Sequence, residues 1–110
     1  CDIYIRSANI LSPGWCWPGS SSYPDLLDPK VQDYYKGLYS LDKFHGTTSD
    51  VHIWNDMNEP SVFNGPEVTM PKDCKHYGNW EHRHIHNIYG LLYVTHKIQR
   101  FSYQKHVFSL

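Results

Sequence analysis

The chain has 110 residues, which suits one small domain, and its 40% hydrophobic content is that of a globular rather than a disordered protein. Its formal net charge of -1 and pI near 6.8 provide no basic face for nucleic acid, and no apolar run is long enough for a transmembrane helix. Three cysteines, an odd count without CxxC spacing, exclude a disulfide framework and a zinc signature but leave open one bridge in an oxidising compartment, with its pairing unassigned. The chain opens on Cys1 with no initiator Met and no signal peptide, so we expect a piece of a longer protein.

The first elements are a short strand and a loop. Residues 3–6, IYIR, predict the strand, and residues 12–24, SPGWCWPGSSSYP, predict an irregular loop because Gly, Pro and Ser dominate them. Three bulky aromatic residues, Trp15, Trp17 and Tyr23, lie inside this loop. They could anchor the loop by packing, or they could form a stacking wall for a ligand.

Two helices are predicted further along the chain. Asp28 is a good N-cap and Pro29 suits the first helical position. One apolar face follows, made of Val31, Tyr34, Tyr35 and Leu38. A second helix should begin at about Glu81, and its apolar face should contain Ile85, Ile88, Tyr89 and Leu92.

Between the helices, residues 51–54, VHIW, predict a strand that is buried on both faces. Polar residues follow up to Pro60, and a long loop covers residues 61–79. The order strand, helix, strand, helix indicates an α/β protein with a parallel sheet that needs further strands. In such folds, ligands bind at the carboxyl ends of the strands, which is where Asp56 and Glu59 lie.

Asp56 and Glu59 could act as a pair of catalytic carboxylates, as in glycoside cleavage. The competing interpretation is a turn carboxylate and a structural hydrogen-bond acceptor. Trp54 precedes the pair, and the aromatic loop around Trp17 is close in sequence. Since pyranose rings present apolar C–H faces that stack on indole, this setting favours a sugar site.

The stretch IWNDMNEPSVF resembles the nucleophile signature of the glycoside hydrolase family 31 α-glucosidases. NGPEVTM, EHRHIHNIYG and GWCWPGSSSYPD are similar to the glucosidase II α-subunits within that family. The resemblance covers residues 14–92, whereas residues 93–110 diverge. It implies that residues 1–110 are a fragment of a single catalytic domain, a partial (β/α)8 TIM barrel around the fourth strand.

The same resemblance assigns roles to individual residues. Asp56 matches the catalytic nucleophile, and Trp54 and Met57 match residues that line the subsite for the cleaved glucose. Trp17 matches a loop tryptophan that packs against this sugar, and Glu59 is expected to support Asp56. His86 and Asn87 match the start of a buried helix, which implies a structural role.

The implied function is that of a retaining α-glucosidase that removes terminal α-linked glucose from N-glycans in the endoplasmic reticulum lumen. The chemistry needs no metal or organic cofactor, and a non-catalytic β-subunit is the implied protein partner. No residue here matches the family's general acid/base or its upstream sugar-binding aspartate. We therefore expect the isolated chain to be inactive.

Two alternatives remain. The chain could be a truncated product without catalysis, one that binds sugar or is simply unstable, or it could be a small metal-binding module. The metal hypothesis comes from His76, His82, His84 and His86, of which His82 and His86 have the i, i+4 spacing of two ligands on one helix face. Solvated or capping histidines are the interpretation that we favour, because motifs of this kind match often by chance.

Overall fold

The computed structural model describes residues 6–7, 10–11, 13–48 and 50–107, with side chains for residues 13–48 and 50–95. These ranges contain four short strands, β1 (Arg6–Ser7), β2 (Ile10–Leu11), β3 (Gly14–Cys16) and β4 (Gly19–Ser21). They also contain two helices, α1 (Pro29–Leu38) and α2 (His82–Val107). Within them, no helix combines the length and apolar character that a membrane span requires.

The strands form two antiparallel hairpins, β1 with β2 and β3 with β4. The predicted strand over residues 3–6 lies outside the described residues except for Arg6, which begins β1. The irregular loop predicted over residues 12–24 was wrong in part, because it contains the β3–β4 hairpin. Gly19, with φ of +94°, takes a backbone conformation that glycine adopts at little cost and so allows the tight reversal.

Helix α1 begins where the sequence predicted. The Asp28 side chain caps it by accepting a hydrogen bond from the backbone N–H of Lys30 at 2.9 Å. Its buried stripe is narrower than predicted, since Val31 and Tyr35 are buried while Tyr34 and Leu38 are more than 40% exposed. The helix packs against α2 through this narrow stripe.

Residues 51–54 do not form the predicted strand, and they are not buried on both faces. Val51 is exposed, and the Trp54 side chain is 88% exposed. A strand exists only when a neighbour accepts and donates its ladder hydrogen bonds, and none of the described strands lies beside this segment. The predicted parallel sheet is therefore not formed among the described residues.

Helix α2 provides one side of the hydrophobic core through Ile85 and Tyr89. Ile88, predicted on the same face, is 43% exposed, and Leu92 packs at the edge of the core. The rest of the core comes from α1 and the loops and consists of Leu26, Val31, Tyr35, Val62, Met70 and Cys74. The core therefore joins the segment after Asp56 to both helices.

The long loop predicted over residues 61–79 is confirmed, but it is well ordered by its own hydrogen bonds. The N–H of Val62 donates to the carbonyl of Val68 at 3.1 Å, and the hydroxyl of Thr69 donates to the carbonyl of Pro60 at 2.6 Å. Two 3₁₀ turns, Pro66–Val68 and Tyr77–Asn79, interrupt the loop. These bonds fold the loop back against the segment that follows Asp56.

We predict that Asp28→Ala lowers the free energy of unfolding by about 1 kcal/mol, because the N–H of Lys30 loses its side-chain acceptor. Urea denaturation would measure the change. Asp33→Ala is the matched control on the same helix. Its carboxylate is 83% exposed and lies 4.0 Å from Lys36 Nζ, so its loss should cost less than about 0.5 kcal/mol. Equal effects of the two substitutions would contradict the capping role.

Candidate functional site

Asp56 stands at the start of a tight turn that residues 57–61 close, and we call it the Asp56 turn. Its Oδ1 accepts a hydrogen bond from the backbone N–H of Met57 at 2.9 Å, which orients the carboxylate. The carbonyl of Met57 accepts from the N–H of Ser61 at 3.0 Å and closes the turn. Met57 has φ of +62°, an uncommon conformation for a residue with a side chain, of a kind found often at functional sites.

A pocket of about 350 Å³ opens beside this turn. It brings together three of the residues predicted from sequence, Trp17, Asp56 and Met57. The other lining residues are Cys16, Pro18, Ser21, Ser22, Tyr23, Pro24, Asn58, Pro60, Tyr89 and Tyr93. Among these described residues, Asp56 provides the one carboxylate. We call this cavity the Asp56 pocket.

Trp54 and Glu59, also predicted from sequence, do not line this pocket. The indole of Trp54 is 88% exposed, and Glu59 is exposed as well. Both residues belong to the same segment as Asp56, but their side chains contribute nothing to the cavity formed by the described residues.

The β3–β4 hairpin places Trp17 at the pocket by docking on residues 61–64. The N–H of Phe63 donates to the carbonyl of Trp15 at 2.7 Å, and Asn64 Oδ1 accepts from the N–H of Trp15 at 2.9 Å. The Trp17 ring then packs edge-to-face on Phe63, with 5.3 Å between ring centroids. The 79% exposure of Trp17 leaves most of the indole open to a ligand.

Tyrosines form other walls of the pocket: Tyr23, which the sequence offered as a loop anchor or part of a stacking wall, and Tyr89, which it placed only on the apolar face of the second helix. Tyr23 donates from its hydroxyl to the carbonyl of Ser61 at 2.7 Å, and Tyr89 donates to the carbonyl of Pro24 at 3.0 Å. Burial raises the pKa of both phenols, with a smaller contribution from Cys16 for Tyr23 and from Tyr93 for Tyr89. These phenols therefore stay neutral and act as hydrogen-bond donors. Tyr89 and Tyr93 lie one helical turn apart, and this spacing could have predicted that both line the same wall.

Helix α2 approaches the Asp56 turn very closely at Gly90. A Cβ on Gly90 would lie 2.9 Å from the carbonyl oxygen of Asn58, shorter than real contacts of this kind. The Asn58 amide nitrogen also donates to the carbonyl of Gly90 at 3.4 Å. The absence of a side chain at Gly90 therefore lets the helix seat the turn that contains Asp56.

The histidines are arranged differently from either interpretation of the sequence. His76 and His82 are buried, and ring nitrogens of His76, His82 and His86 face one another in series rather than converging on a point. The described residues contain no group of three or more His, Cys, Asp or Glu side chains that could hold a metal. His84, the fourth of the cluster, is exposed beside Trp80. The prediction of solvated or capping histidines was thus wrong for His76 and His82.

Burial lowers the pKa of His82 to about 4, with smaller contributions from His76 and His86. Its side chain has no exposed surface, so an imidazolium there would lose its hydration. At neutral pH the His82 ring is therefore neutral and provides one donor and one acceptor nitrogen.

The Asp56 pocket combines one oriented carboxylate with an exposed indole and neutral phenols. An indole face suits the C–H face of a sugar ring, and a carboxylate can attack or stabilise a positively charged anomeric carbon. Glycoside cleavage uses two carboxyl groups, and this pocket provides one carboxylate. The fold and the pocket thus indicate a carbohydrate-active enzyme of the glycosidase class.

Comparison with known proteins agrees with this class. The family model for the glycosyl hydrolases family 31 TIM-barrel domain matches residues 2–110. The chain belongs to glycoside hydrolase family 31. The matched domain is a TIM barrel, so the helices and hairpins described above belong to a (β/α)8 fold.

Individual relatives are similar over most of this chain. Neutral alpha-glucosidase AB of Mus musculus is 62% identical over 78 residues, 71% of this chain and 8% of the relative. A probable glucan 1,3-alpha-glucosidase of Oryza sativa is 60% identical over 77 residues, 70% of this chain and 8% of the relative. The chain thus spans only about a twelfth of the length of these relatives.

A solved structure is also similar to this chain. It is the ER glucosidase II heterodimeric complex, consisting of a catalytic subunit and the binding domain of a regulatory subunit. The similarity has a TM-score of 0.87 with 49% identity and covers 90% of this chain and 11% of that chain. At this identity, the fold of the described residues is that of the corresponding barrel segment.

We predict that Gly90→Ala destabilises the chain by about 1–2 kcal/mol, because the new Cβ would collide with the Asn58 carbonyl. Gly37→Ala in α1 is the matched control. Its Cβ would meet only Lys43 Nζ at 3.8 Å, so the gain in helix propensity should stabilise the chain by about 0.5–1 kcal/mol. Urea denaturation of both variants would measure these changes. Stabilisation by both substitutions would show that the Asp56 turn is not seated on Gly90.

Proposed function

We propose that this chain contributes the nucleophile segment of a retaining α-glucosidase. The observation that carries the proposal is the shared pocket, which Asp56, Trp17 and Met57 all line. The hydrogen bond from the Met57 N–H to Asp56 Oδ1 fixes the direction of the carboxylate. An oriented carboxylate beside a stacking surface is what nucleophilic attack on a bound sugar requires.

In the proposed reaction, a carboxylate oxygen of Asp56 attacks the anomeric carbon of a terminal α-linked glucose. The bond from that carbon to the glycosidic oxygen breaks, and a general acid donates a proton to the leaving oxygen. The product is a β-glucosyl ester on Asp56. Water then hydrolyses the ester, and the anomeric configuration is retained after two inversions.

The remaining predicted residues take supporting roles in this proposal. Trp54, exposed among the described residues, would line the glucose subsite once neighbouring barrel strands enclose it. Glu59 would support the turn that holds Asp56 rather than act as the acid, since its side chain lies outside the pocket. Tyr23 and Tyr89 would form the polar side of the sugar seat through their neutral hydroxyls.

For the substrate, we propose terminal α-linked glucose of N-glycans, processed as by glucosidase II in the endoplasmic reticulum lumen. Two observations support this choice. The Oryza sativa relative is named a glucan 1,3-alpha-glucosidase, and the similar solved structure is an ER glucosidase II with a regulatory subunit. By the same similarity, a non-catalytic regulatory subunit is the partner that we propose for the polypeptide to which this chain belongs.

The proposal separates membership of the family from activity of this chain. Residues 1–110 would be one segment of a single catalytic barrel domain, and we place the general acid elsewhere in that domain. General acid catalysis contributes about 10²–10⁴-fold to a rate. Without that group, the leaving oxygen departs unprotonated.

We therefore predict no measurable turnover of an aryl α-glucoside by the isolated chain of 110 residues. Release of the aryl group would be followed by absorbance, with a complete family 31 α-glucosidase as the positive control. Turnover that survives repeated purification, and that Asp56→Asn removes, would refute the need for a further acid.

In a complete domain that carries this segment, we predict that Asp56→Asn lowers kcat by at least about 10⁴-fold, because a carboxamide cannot form the ester. Glu59→Gln is the matched control, three residues away, and should keep most of the turnover. A slowly hydrolysed fluorinated glucosyl fluoride should label the peptide that contains Asp56, detected by mass spectrometry. Labelling of a different carboxylate would overturn the nucleophile assignment.

A further inference from the structure

Four side chains form a continuous series of hydrogen bonds behind the Asp56 pocket. Asp25 Oδ1 lies 3.0 Å from His76 Nδ1, and His76 Nε2 lies 3.0 Å from His82 Nδ1. The series ends with His82 Nε2 at 2.8 Å from His86 Nδ1. Asp25, His76 and His82 are buried, whereas His86 is half-buried. We call these four residues the histidine relay.

The relay has a direction, and Asp25 sets it. A carboxylate oxygen only accepts hydrogen bonds, so His76 Nδ1 must donate to it. A neutral imidazole has one donor and one acceptor nitrogen, so His76 Nε2 accepts from His82 Nδ1. By the same rule His82 Nε2 accepts from His86 Nδ1, and Nε2 of His86 is left as the acceptor at the open end.

The open end of the relay reaches a second, polar pocket of about 200 Å³. His86 lines this pocket together with Glu67, Lys72, Arg83 and Asn87. Lys72 pairs with Glu67 at 2.9 Å, and Arg83 Nε pairs with Glu81 at 2.7 Å. The charged groups near His86 are thus paired with one another, and Nε2 is the ring nitrogen of this lining residue that the series leaves unused.

The closed end of the relay holds a wall of the Asp56 pocket. The Asp25 carboxylate also accepts from the backbone N–H of Tyr77 at 2.5 Å and of Leu27 at 3.3 Å. Pro24, next to Asp25, lines the Asp56 pocket, and its carbonyl accepts a hydrogen bond from the hydroxyl of Tyr89. Tyr89 is neutral, and its ring packs against those of His76 and His82, with 6.3 and 6.1 Å between ring centroids. The relay therefore connects the segment that contains Asp25, the loop that contains His76 and the start of helix α2. These three segments meet at this wall.

The relay can take up one proton without losing any of its hydrogen bonds. A proton that binds Nε2 of His86 lets the Nδ1 proton of His86 move to His82 Nε2. The Nδ1 proton of His82 then moves to His76 Nε2, and the Nδ1 proton of His76 moves to Asp25. Each hydrogen bond now runs in the opposite direction. A second proton has no acceptor in the series, so two donors must face each other somewhere.

We propose that the histidine relay is a pH-sensitive clamp on the wall of the Asp56 pocket. It accepts one proton from the polar pocket by reversing its direction, and it releases Asp25 and the adjoining wall when a second proton enters. Burial of His82 opposes that second proton, so the clamp stays closed until the medium is clearly acidic. This inference depends on the proposed function only in treating the wall as part of a sugar site.

Nuclear magnetic resonance of the chain with ¹⁵N-labelled histidine tests the relay directly, without any sugar or turnover. At pH 8, His76, His82 and His86 should all show the form that carries its proton on Nδ1. On acidification, the ¹⁵N chemical shifts of the three rings should change together as the first proton binds. The pH at the midpoint of this change should be the same for all three. An Nε2-protonated ring in this trio at pH 8, or three separate midpoints for the first proton, would overturn the proposal.

The backbone amide of Tyr77 reports on the clamp itself because it donates to Asp25. Its hydrogen exchange, corrected for the intrinsic effect of pH, should stay slow through the first protonation and accelerate at least 10-fold with the second. Protection that persists down to pH 4 would exclude release of the wall. Neither result bears on whether Asp56 is a nucleophile, so a failure here leaves the proposed function intact.

Two variants and a control locate the effect. Asp25→Asn introduces a carboxamide that can donate or accept a hydrogen bond. At pH 8, the three histidine rings should then show both the Nδ1-protonated and the Nε2-protonated forms. If this variant does not fold, His86→Gln decides the question, because glutamine can donate to His82 Nε2 but cannot pass a proton on. His76 and His82 should then keep Nδ1 protonated yet lose the shared midpoint, and an unchanged midpoint would refute the relay. His84→Gln, exposed on the same helix, should leave the trio unchanged.

Discussion

The close approach of helix α2 to the Asp56 turn is the contact on which the site depends. Gly90 leaves no room for a Cβ against the Asn58 carbonyl, so the helix axis and the turn hold a fixed separation. One residue earlier, Tyr89 reaches into the Asp56 pocket and donates to Pro24. A side chain at position 90 would push helix α2 outward. This movement would withdraw the Tyr89 wall from the pocket and also disturb the Asp56 turn.

The hairpin completes the pocket by a different kind of interaction. Hydrogen bonds from Phe63 and to Asn64 fix the backbone of Trp15, and Trp17 then follows as a turn residue held on Phe63. Each of these hydrogen bonds contributes about 0.5–1.5 kcal/mol, and together they hold the hairpin against residues 63–64. The exposed Trp17 indole is therefore positioned by the hydrogen bonds of Trp15 and by the Phe63 ring rather than by its own burial. A rigid support under an open aromatic face suits a surface meant for a ligand.

Sequence patterns predicted the features that local chemistry determines. The cap at Asp28 and the start of helix α2 near Glu81 depend on neighbouring residues alone, and the structure confirms both. The meeting of Trp17 with Asp56 and Met57 followed from resemblance to a known family. Long-range features were missed. The β3–β4 hairpin has strands of three residues, too short to show alternation. Among the described strands, none lies beside residues 51–54 to make them a strand.

The buried histidines show why a list of residue types underdetermines a site. Spacing placed His82 and His86 on one helix face, which fits a metal, a capping role or a hydrogen-bonded series equally well. The deciding partner, Asp25, lies 51 positions from His76 in the chain, so no local pattern reveals it. Burying a carboxylate and two imidazoles, with a third imidazole half-buried, is costly unless every donor meets an acceptor.

The fixed direction of the relay meets that requirement at each contact between its members. Among the described side chains that are not exposed, Thr47 Oγ1 is the one buried polar atom without a partner, so the interior around the relay is fully satisfied. An apolar core would fill the same space, but it would accept many small displacements at nearly equal energy. Hydrogen bonds near 3 Å in series permit one arrangement of the three segments, and that arrangement sets the back of the Asp56 pocket.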